Sequence, residues 1–297
     1  MEKLDDYPVT AYPKKWLPTG NHSLEKKGIL IDLWPIQKII ECALISPYLK
    51  GEKPFSLLIV AKPESGKTTV MKQYRENKGV LYLTDCTAFG ITRDFLPKIA
   101  TGEIKTIMIP DLTTPLSKQT KTRAGLVAFL NNLIEEGVAK MSTGAVAYSR
   151  DVDAVANLIT SVTDQSFGDA RHGWNKLGFL SRCVVITYSY SWSSVNAIMN
   201  EYSEHGIDEK GLEKRCKVKL PRRSVDINLP KEIADRLDPY ARDIGRVYDL
   251  YGFRAKINFR SLLKCLAYRN GRRVVTDADF EEFLELVDFM NFDFRPI

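Results

Sequence analysis

The chain has 297 residues, of which 44% are hydrophobic and 27% are charged, as in a globular protein that buries a core without disulfides or a structural metal. Its formal charge of +6 permits contact with nucleic acid but does not require it. The five cysteines include no Cys-x-x-Cys pair, and none of the three histidines lies at metal-ligand spacing from a cysteine, which argues against a disulfide scaffold or a zinc site.

The amino-terminal third of the chain predicts an arm, a helix and a buried strand, in that order. Residues 1–30 contain prolines and lysines with little periodicity, and we predict an irregular arm. Asp32 is a candidate helix cap and Pro35 suits the first turn of a helix that continues to Leu44. The nearly continuous apolar run 55–60 is typical of a strand buried on both faces.

Strands and helices then alternate, which indicates an α/β fold. Further strands are predicted at 80–83, 106–109, 157–162 and 183–188. Helices are predicted at 67–74, at 91–100 and from Thr114 to Gly137. We therefore predict a three-layer sandwich with a parallel sheet over residues 31–195.

The carboxy-terminal third predicts helices without strands. Three helices are expected near 231–250, 258–269 and 277–289, the last opening with Thr276 and Asp279 in a near capping box. We predict that residues 196–297 form a linker and a small, mostly helical lid domain. The beginning of the chain does not resemble a signal peptide, and no apolar run is long enough to span a membrane. We expect a cytoplasmic protein without a membrane partner.

The segment 61–68 resembles the phosphate-binding loop G-x-x-x-x-G-K-[ST]. Gly66, Lys67 and Thr68 match this P-loop pattern, whereas Ala61 replaces its first glycine. Because alanine lacks glycine's tolerance for positive φ, we expect a slightly altered turn there. Nine residues are predicted to contact the nucleotide: Ala61, Lys62, Pro63, Glu64, Ser65, Gly66, Lys67, Thr68 and Thr69.

The chemistry of this loop predicts ATP and Mg²⁺ as cofactors. Its lysine, Lys67, reaches the β and γ phosphates, and the hydroxyl of Thr68 is a ligand of Mg²⁺. The alternative is a Gly-Lys-Thr that occurs in a loop by chance. The position of the match, between a buried strand and a helix, favours the nucleotide site.

A second metal ligand is predicted at Asp111, because a P-loop NTPase holds Mg²⁺ with a carboxylate at the end of a neighbouring strand. Asp111 follows the predicted strand 106–109, although Pro-Asp is also favourable in a turn. The next residue is Leu112, where many ATPases have a glutamate that orients water. Asp85, Glu135 and Glu136 are the candidates for that task, with Asp85 preferred.

The order of these features resembles the AAA+ family of ATPases over roughly residues 31–290. The resemblance implies a polar sensor at the end of the fourth strand, where Thr163 lies, and an arginine finger at Arg182, which would act on ATP held by a neighbouring subunit. It implies a second sensor at the start of a lid helix, where Arg260 matches and Arg254 is the second choice. Local pairing or exposure to solvent is the alternative for each arginine.

The AAA+ resemblance further implies a homo-oligomeric ring that hydrolyses ATP and acts on a client. We expect the client to be DNA or RNA, in a replication or mobile-element context. A basic run could bind nucleic acid or be a solvated linker: Lys210, Lys214, Arg215, Lys217, Lys219, Arg222 and Arg223. A protein remodeller, a small-molecule P-loop kinase and a slow nucleotide-dependent switch are the alternative functions.

Overall fold

The structure is a computed structural model that describes residues 30–117, 120–142, 147–206 and 215–290. The predicted arm lies outside these ranges except for its last residue, Leu30, and so do Lys210 and Lys214. The described chain is α/β and contains a five-stranded parallel sheet. No described helix has the length and hydropathy needed to cross a lipid bilayer.

Helices and strands alternate through the first two thirds of the described chain. The strands are β1 (Ser56–Ala61), β2 (Val80–Tyr82), β3 (Thr106–Ile109), β4 (Val138–Ser142), β5 (Ala147–Ala154), β6 (Asn157–Thr163) and β7 (Cys183–Tyr188). The first eight α-helices are α1 (Trp34–Ile45), α2 (Lys67–Lys72), α3 (Ala88–Asp94), α4 (Leu96–Ala100), α5 (Thr113–Leu116), α6 (Thr120–Glu135), α7 (Asp164–Lys176) and α8 (Trp192–His205).

The carboxy-terminal third contains α9 (Lys231–Asp235), α10 (Asp238–Val247), α11 (Phe253–Arg269) and α12 (Asp277–Val287). The predicted capping box of α12 is confirmed, because the Thr276 amide donates to the Asp279 carboxylate and the Asp279 amide donates to the Thr276 hydroxyl. Buried residues of α11 and α12 belong to the same apolar cluster as those of α1 and β1. These helices therefore share a core with one face of the sheet. The boundary at 195/196 stays a prediction.

The sheet order is β2-β3-β6-β1-β7, with every neighbouring pair parallel. Alternate β1 residues enter different cores: Leu57 and Ile59 pack with α1 and the carboxy-terminal helices, whereas Leu58 and Val60 pack with α3–α7. Both faces of the sheet are therefore covered by helices, which explains the uninterrupted apolar sequence of this strand.

A buried asparagine joins three of these elements. The Asn157 amide donates to the carbonyl of Ala43 at 2.8 Å and of Phe55 at 3.0 Å, while its oxygen accepts from the Thr106 hydroxyl at 2.7 Å. Asn157 is 1% exposed. Its amide thus supplies a donor to the buried carbonyl of Phe55 and a second donor, beside the Ser46 hydroxyl, to that of Ala43.

Several predicted elements differ from the observed ones. The antiparallel hairpin β4–β5 was missed, because its polar sequence lacks the apolar run that marks a strand buried on both faces. Helix α8 was also missed. The helices predicted at 91–100, from Thr114 to Gly137 and at 231–250 are each divided in two. At the first of these, Pro97 lies in the first turn of α4, where its missing N–H costs nothing.

The predicted helix cap at Asp32 is wrong. Helix α1 begins one residue after Leu33, which occupies the cap position without a side-chain hydrogen bond. Asp32 has a φ of 62°. Its carboxylate accepts a hydrogen bond from the Ser194 hydroxyl at 2.7 Å and so links the start of α1 to α8. A tertiary contact has replaced the local cap.

Candidate functional site

The loop that follows β1 turns sharply into α2. Glu64 and Gly66 have φ values of 62° and 79°, so the left-handed positions lie within the loop. Ala61 is instead the buried last residue of β1 and pairs with Thr163 and Tyr188 in the neighbouring strands. Ala61 has no left-handed backbone, so this position does not use the conformational freedom of glycine. The expected slight alteration of the turn stays a prediction.

The side chain of Lys67 folds back over this loop. Its ammonium donates to the carbonyl of Ala61 at 2.8 Å, to the carbonyl of Lys62 at 2.6 Å and to the hydroxyl of Ser65 at 3.1 Å. Lys67 is 8% exposed. The loop therefore encloses a cation whose ligands, in this state, are the oxygens of the loop itself.

Two tyrosines hold the loop from the side of β7. The Tyr188 and Tyr190 hydroxyls donate to the carbonyl of Ser65, at 2.8 Å and 3.2 Å. Tyr188 is fully buried, and burial raises the pKa of its phenol. Because the donors stay protonated, they keep the Ser65 carbonyl turned towards β7. No contact of either tyrosine with the loop was predicted from the sequence.

Asp111 is positioned by the strand beside it. The Ser161 hydroxyl of β6 donates to the carbonyl of Pro110 at 2.5 Å, and the Leu112 amide donates to the carbonyl of Ser161 at 2.9 Å. The Asp111 carboxylate accepts from the amide of Thr113 at 2.9 Å and from its hydroxyl at 2.5 Å. The turn and the acidic position predicted from sequence therefore occur together.

A second carboxylate, Asp164, is near enough for its charge to act on the same lysine. Burial lowers the pKa of Lys67 to about 8, and the negative charges of Asp164 and Asp111 act in the opposite direction, with Asp164 the stronger. Asp164 is the first residue of α7 and follows Thr163 at the end of β6. Only Thr163 was predicted as a functional residue at this strand end. The signal that could have identified Asp164 is an acidic residue directly after a buried strand.

Thr163 serves the local structure. Its hydroxyl accepts from the Ser166 amide at 3.1 Å and donates to the Ser166 hydroxyl at 2.9 Å, which caps α7. It also ends β6 next to Ala61. Thr163 therefore lies at the predicted edge of the sheet, and its sensor role stays a prediction.

The remaining loop residues face solvent. Lys62, Pro63, Glu64 and Thr68 are exposed, and Thr69 is half-buried. The described residues contain no group of three or more His, Cys, Asp or Glu side chains placed to hold a metal. Mg²⁺ does not need such a cage, because it commonly takes one or two carboxylates together with water and substrate phosphates.

Comparison of the chain with models of known families gives no match, and comparison with curated protein sequences gives none either. We therefore infer a function from the geometry of the loop and of the carboxylates near it.

Arg182 lies at the amino ends of the parallel strands, opposite the carboxyl ends where Lys67 lies. It precedes β7, and its guanidinium pairs with the Glu135 carboxylate and donates to the carbonyl of Gly178 at 2.7 Å. Arg254 also donates to Glu135, at 2.6 Å and 3.0 Å. Burial alone would raise the pKa of Glu135, but the hydrogen bond from Arg254 and the charge of Arg182 lower it. Arg182 thus has the local carboxylate partner that was the alternative to a finger.

The predicted position of Arg260 is wrong. It is not at a helix start but well inside α11, where it donates to the Glu52 carboxylate at 3.0 Å. Lys264 pairs with the same carboxylate at 2.7 Å, and Ser261 donates to the carbonyl of Lys53 at 2.8 Å. These contacts lie before β1, whereas the loop lies after it. Arg260 therefore does not reach the loop of its own chain.

The carboxylates predicted to orient water also lie away from Lys67. Glu135 is occupied by two arginines at the edge away from Lys67, and the neighbouring Glu136 is exposed. Asp85 is exposed beyond the end of β2, at an outer strand of the sheet, and accepts from the Cys86 amide at 2.7 Å. Asp164 and Asp111 are instead the carboxylates whose charges act on Lys67.

A cavity of about 300 Å³ lies between β7, α10 and α11, away from these groups. Its lining is largely apolar and includes Val185, Tyr248 and Phe259. Arg254, which also lines it, is already paired with Glu135. The cavity does not offer the convergent charged groups that a nucleotide triphosphate needs.

Proposed function

We propose that the chain binds ATP with Mg²⁺ at the loop 61–69 and hydrolyses it. The observation that carries this proposal is the buried Lys67 ammonium enclosed by the loop oxygens at the carboxyl ends of the parallel strands. Asp111 and Asp164 follow neighbouring strands at the same ends, and their charges act on the pKa of Lys67. In open α/β sheets ligands bind at this edge. The donor set fits a polyphosphate, because it combines a buried cation, an exposed hydroxyl at Thr68 and the free N–H groups of a helix start.

Lys67 would exchange its contacts with Ala61 and Lys62 for phosphate oxygens. That exchange is favourable, because a charge-assisted bond to phosphate replaces bonds to neutral carbonyls. Thr68 and Asp111 would hold Mg²⁺, which supplies charge neutralisation at the phosphates when bound. Tyr188 and Tyr190 would keep the loop in the shape that receives them.

We assign the orientation of the attacking water to Asp164. Leu112 occupies the position where many ATPases have a glutamate, and it is buried and without a polar group. Asp164 projects from the end of β6, the strand that lies between β1 and β3. A carboxylate there is placed between the loop and Asp111, where it could accept a proton from water.

Membership of the AAA+ family, with a ring of subunits and a helical lid, is part of the same proposal. It is supported by the order of the helices and strands and by the positions of Lys67 and Asp111. A role for Arg182 in trans requires its pair with Glu135 to open when a neighbour's nucleotide approaches. Arg260 has no part in the proposal.

The test is ATP binding measured by calorimetry, with and without Mg²⁺, followed by phosphate release. Lys67→Ala should remove binding, while Lys78→Ala, which deletes an exposed lysine outside the loop, should retain it. Both variants should unfold at temperatures close to that of the unchanged protein. Wild-type ATP affinity in folded Lys67→Ala protein would overturn the proposal.

One observation favours a second function, phosphoryl transfer to a small molecule. A cavity of about 510 Å³ lies between α5, α6 and α7, and its lining includes Thr113, Ser166 and Asp169. Thr113 is the residue that binds Asp111, so the cavity opens beside the proposed metal ligand. A P-loop kinase needs such an acceptor pocket next to its phosphates.

The two functions differ in the acceptor of the phosphoryl group, which is water for the ATPase and a small molecule for the kinase. If ATP is consumed at a steady rate in water alone, the ATPase is supported. If consumption is negligible until a small hydroxylated metabolite is added, and Asp169→Ala then raises the KM for that acceptor without altering ATP affinity, the kinase is supported instead.

A further inference from the structure

An open groove of about 690 Å³ is lined by none of the residues of the proposed nucleotide site. One wall is the extended segment 221–226, which carries Arg222 and Arg223, and the other carries Tyr268 and Arg273. All three arginines are exposed, and Tyr268 is half-buried. The groove thus brings together the end of the basic run noted in the sequence and an arginine distant from it in the chain.

Main-chain hydrogen bonds fix both walls. The Val225 amide donates to the carbonyl of Tyr48 at 2.8 Å, and the Lys50 amide donates back to the carbonyl of Val225 at 2.8 Å. On the other side, the Asn228 amide donates to the carbonyl of Arg273 at 2.9 Å. The segment is therefore held between the end of α1 and the end of α11, so the arginines have a defined spacing.

The arginines of the groove differ from most others on the described surface. Arg93, Arg215, Arg236 and Arg246 each pair with a carboxylate. Within the described ranges, Arg222, Arg223 and Arg273 form no ion pair. Asp226, which also lines the groove, is exposed and offsets one of the three charges. The groove therefore retains a net positive charge that an anionic partner would neutralise.

We infer that this groove binds the backbone of a single-stranded nucleic acid. Arginine forks suit phosphate oxygens, and an aromatic ring beside them suits a base, because stacking accepts any base. Arg273 lies 6.0 Å from the centre of the Tyr268 ring. A strand in the groove would place phosphates on the arginines and a base against this ring and guanidinium. An acidic peptide would use the charges but would gain little from the ring.

The inference names the client of the proposed ATPase, and in that respect it rests on the proposed function. The binding itself does not. The groove segment is hydrogen-bonded to Tyr48 and Lys50, which come just before β1, whereas the loop comes just after β1. The length of the strand therefore separates the two sites by about 20 Å. Binding of nucleic acid can therefore be measured without nucleotide, and Lys67→Ala should bind it as the unchanged protein does.

The experiment measures the anisotropy of a labelled, mixed-sequence single-stranded DNA of about 20 nucleotides, long enough to cover the site. The full chain is compared with the triple variant Arg222→Gln, Arg223→Gln, Arg273→Gln. A matched triple variant, Arg93→Gln, Arg236→Gln, Arg246→Gln, removes the same charge from arginines that are exposed but paired with carboxylates. Thermal melting confirms that both variants fold.

Three phosphate contacts to a single strand account for a slope of about −2 in log affinity against log salt, and hence for about 100-fold in affinity at 0.1 M salt. We expect the groove variant to lose this salt dependence and this factor in affinity, and the matched variant to retain most of the two. Equal loss in the two variants, absence of binding by the unchanged protein at low salt, or equal competition by polyglutamate would overturn the inference. Tighter binding of a duplex of the same length would also overturn it.

Discussion

Arg182 and Glu135 form an ion pair within one chain, and both side chains are 16% exposed. Arg254 joins the same carboxylate from α11. The pair connects the end of α6 to the start of β7, at the edge of the sheet away from Lys67. An arginine held in this way stabilises the fold, whatever it does in an assembly.

We therefore predict that Glu135→Ala lowers the free energy of unfolding by about 2–3 kcal/mol, because it leaves two guanidiniums without their carboxylate. Urea denaturation gives the value. Glu136→Ala, an exposed neighbour, is the control and should change the midpoint little. Equal effects of the two changes would show that the pair contributes no stability.

The trans role proposed for Arg182 has a separate test. Arg182→Ala and Lys67→Ala should each lack hydrolysis, and mixing them should restore part of it, because some interfaces then join an intact loop to an intact arginine. Arg182→Ala should keep its ATP affinity. If mixed oligomers form and no activity returns, Arg182 is only the partner of Glu135.

The lowered pKa of Lys67 predicts a pH-dependent ATP affinity. In the free protein the amine loses its proton near pH 8, whereas bound phosphate would raise that pKa. Binding therefore takes up a proton above pH 8 and weakens as pH rises, approaching tenfold per pH unit, while below pH 8 the effect disappears. Calorimetry between about pH 7.5 and 9.5 measures this. Lys67→Arg stays charged and should give a flat profile.

The two carboxylates beside Lys67 should separate in their effects. Asp111→Asn is expected to weaken Mg²⁺-dependent binding and hydrolysis together, since it removes a metal ligand. Asp164→Asn is expected to leave Mg²⁺·ATP affinity within a few-fold and to lower kcat by about 10²–10⁴-fold, the range for loss of a general base. Binding titrations and single-turnover hydrolysis distinguish them. Normal turnover in Asp164→Asn would return the role to Asp85.

Asn157 provides a prediction on stability alone. Asn157→Leu removes the amide donor of the Phe55 carbonyl, leaves the Ala43 carbonyl with only the Ser46 hydroxyl and removes the acceptor of the Thr106 hydroxyl, and it should cost about 2–4 kcal/mol. Thermal and urea unfolding measure the loss. Asn132→Leu, at an exposed position of α6, is the control. A cost below 1 kcal/mol would mean that water replaces the amide.

Local sequence determined much of this fold. Short apolar runs marked each strand of the main sheet, because a strand covered on both faces has no polar side to interrupt it. The glycine-lysine-threonine segment and the capping box at Thr276 and Asp279 were also readable, since their hydrogen bonds join residues a few positions apart. The position of Asp111 followed from the strand that precedes it.

Tertiary structure decided which distant residues meet. The charge of Asp164 acts on Lys67 because β6 is inserted between β1 and β3, and nothing in the local sequence specifies that order. Arg254 donates to Glu135, which lies 119 positions earlier in the chain. Arg260 donates to Glu52 and not to a group of the loop. Charged side chains have no periodicity that identifies a partner, because any exposed arginine is compatible with its own helix. The packing of α11 against the sheet therefore selected these pairs, and it set Arg273 opposite Arg222 in the groove.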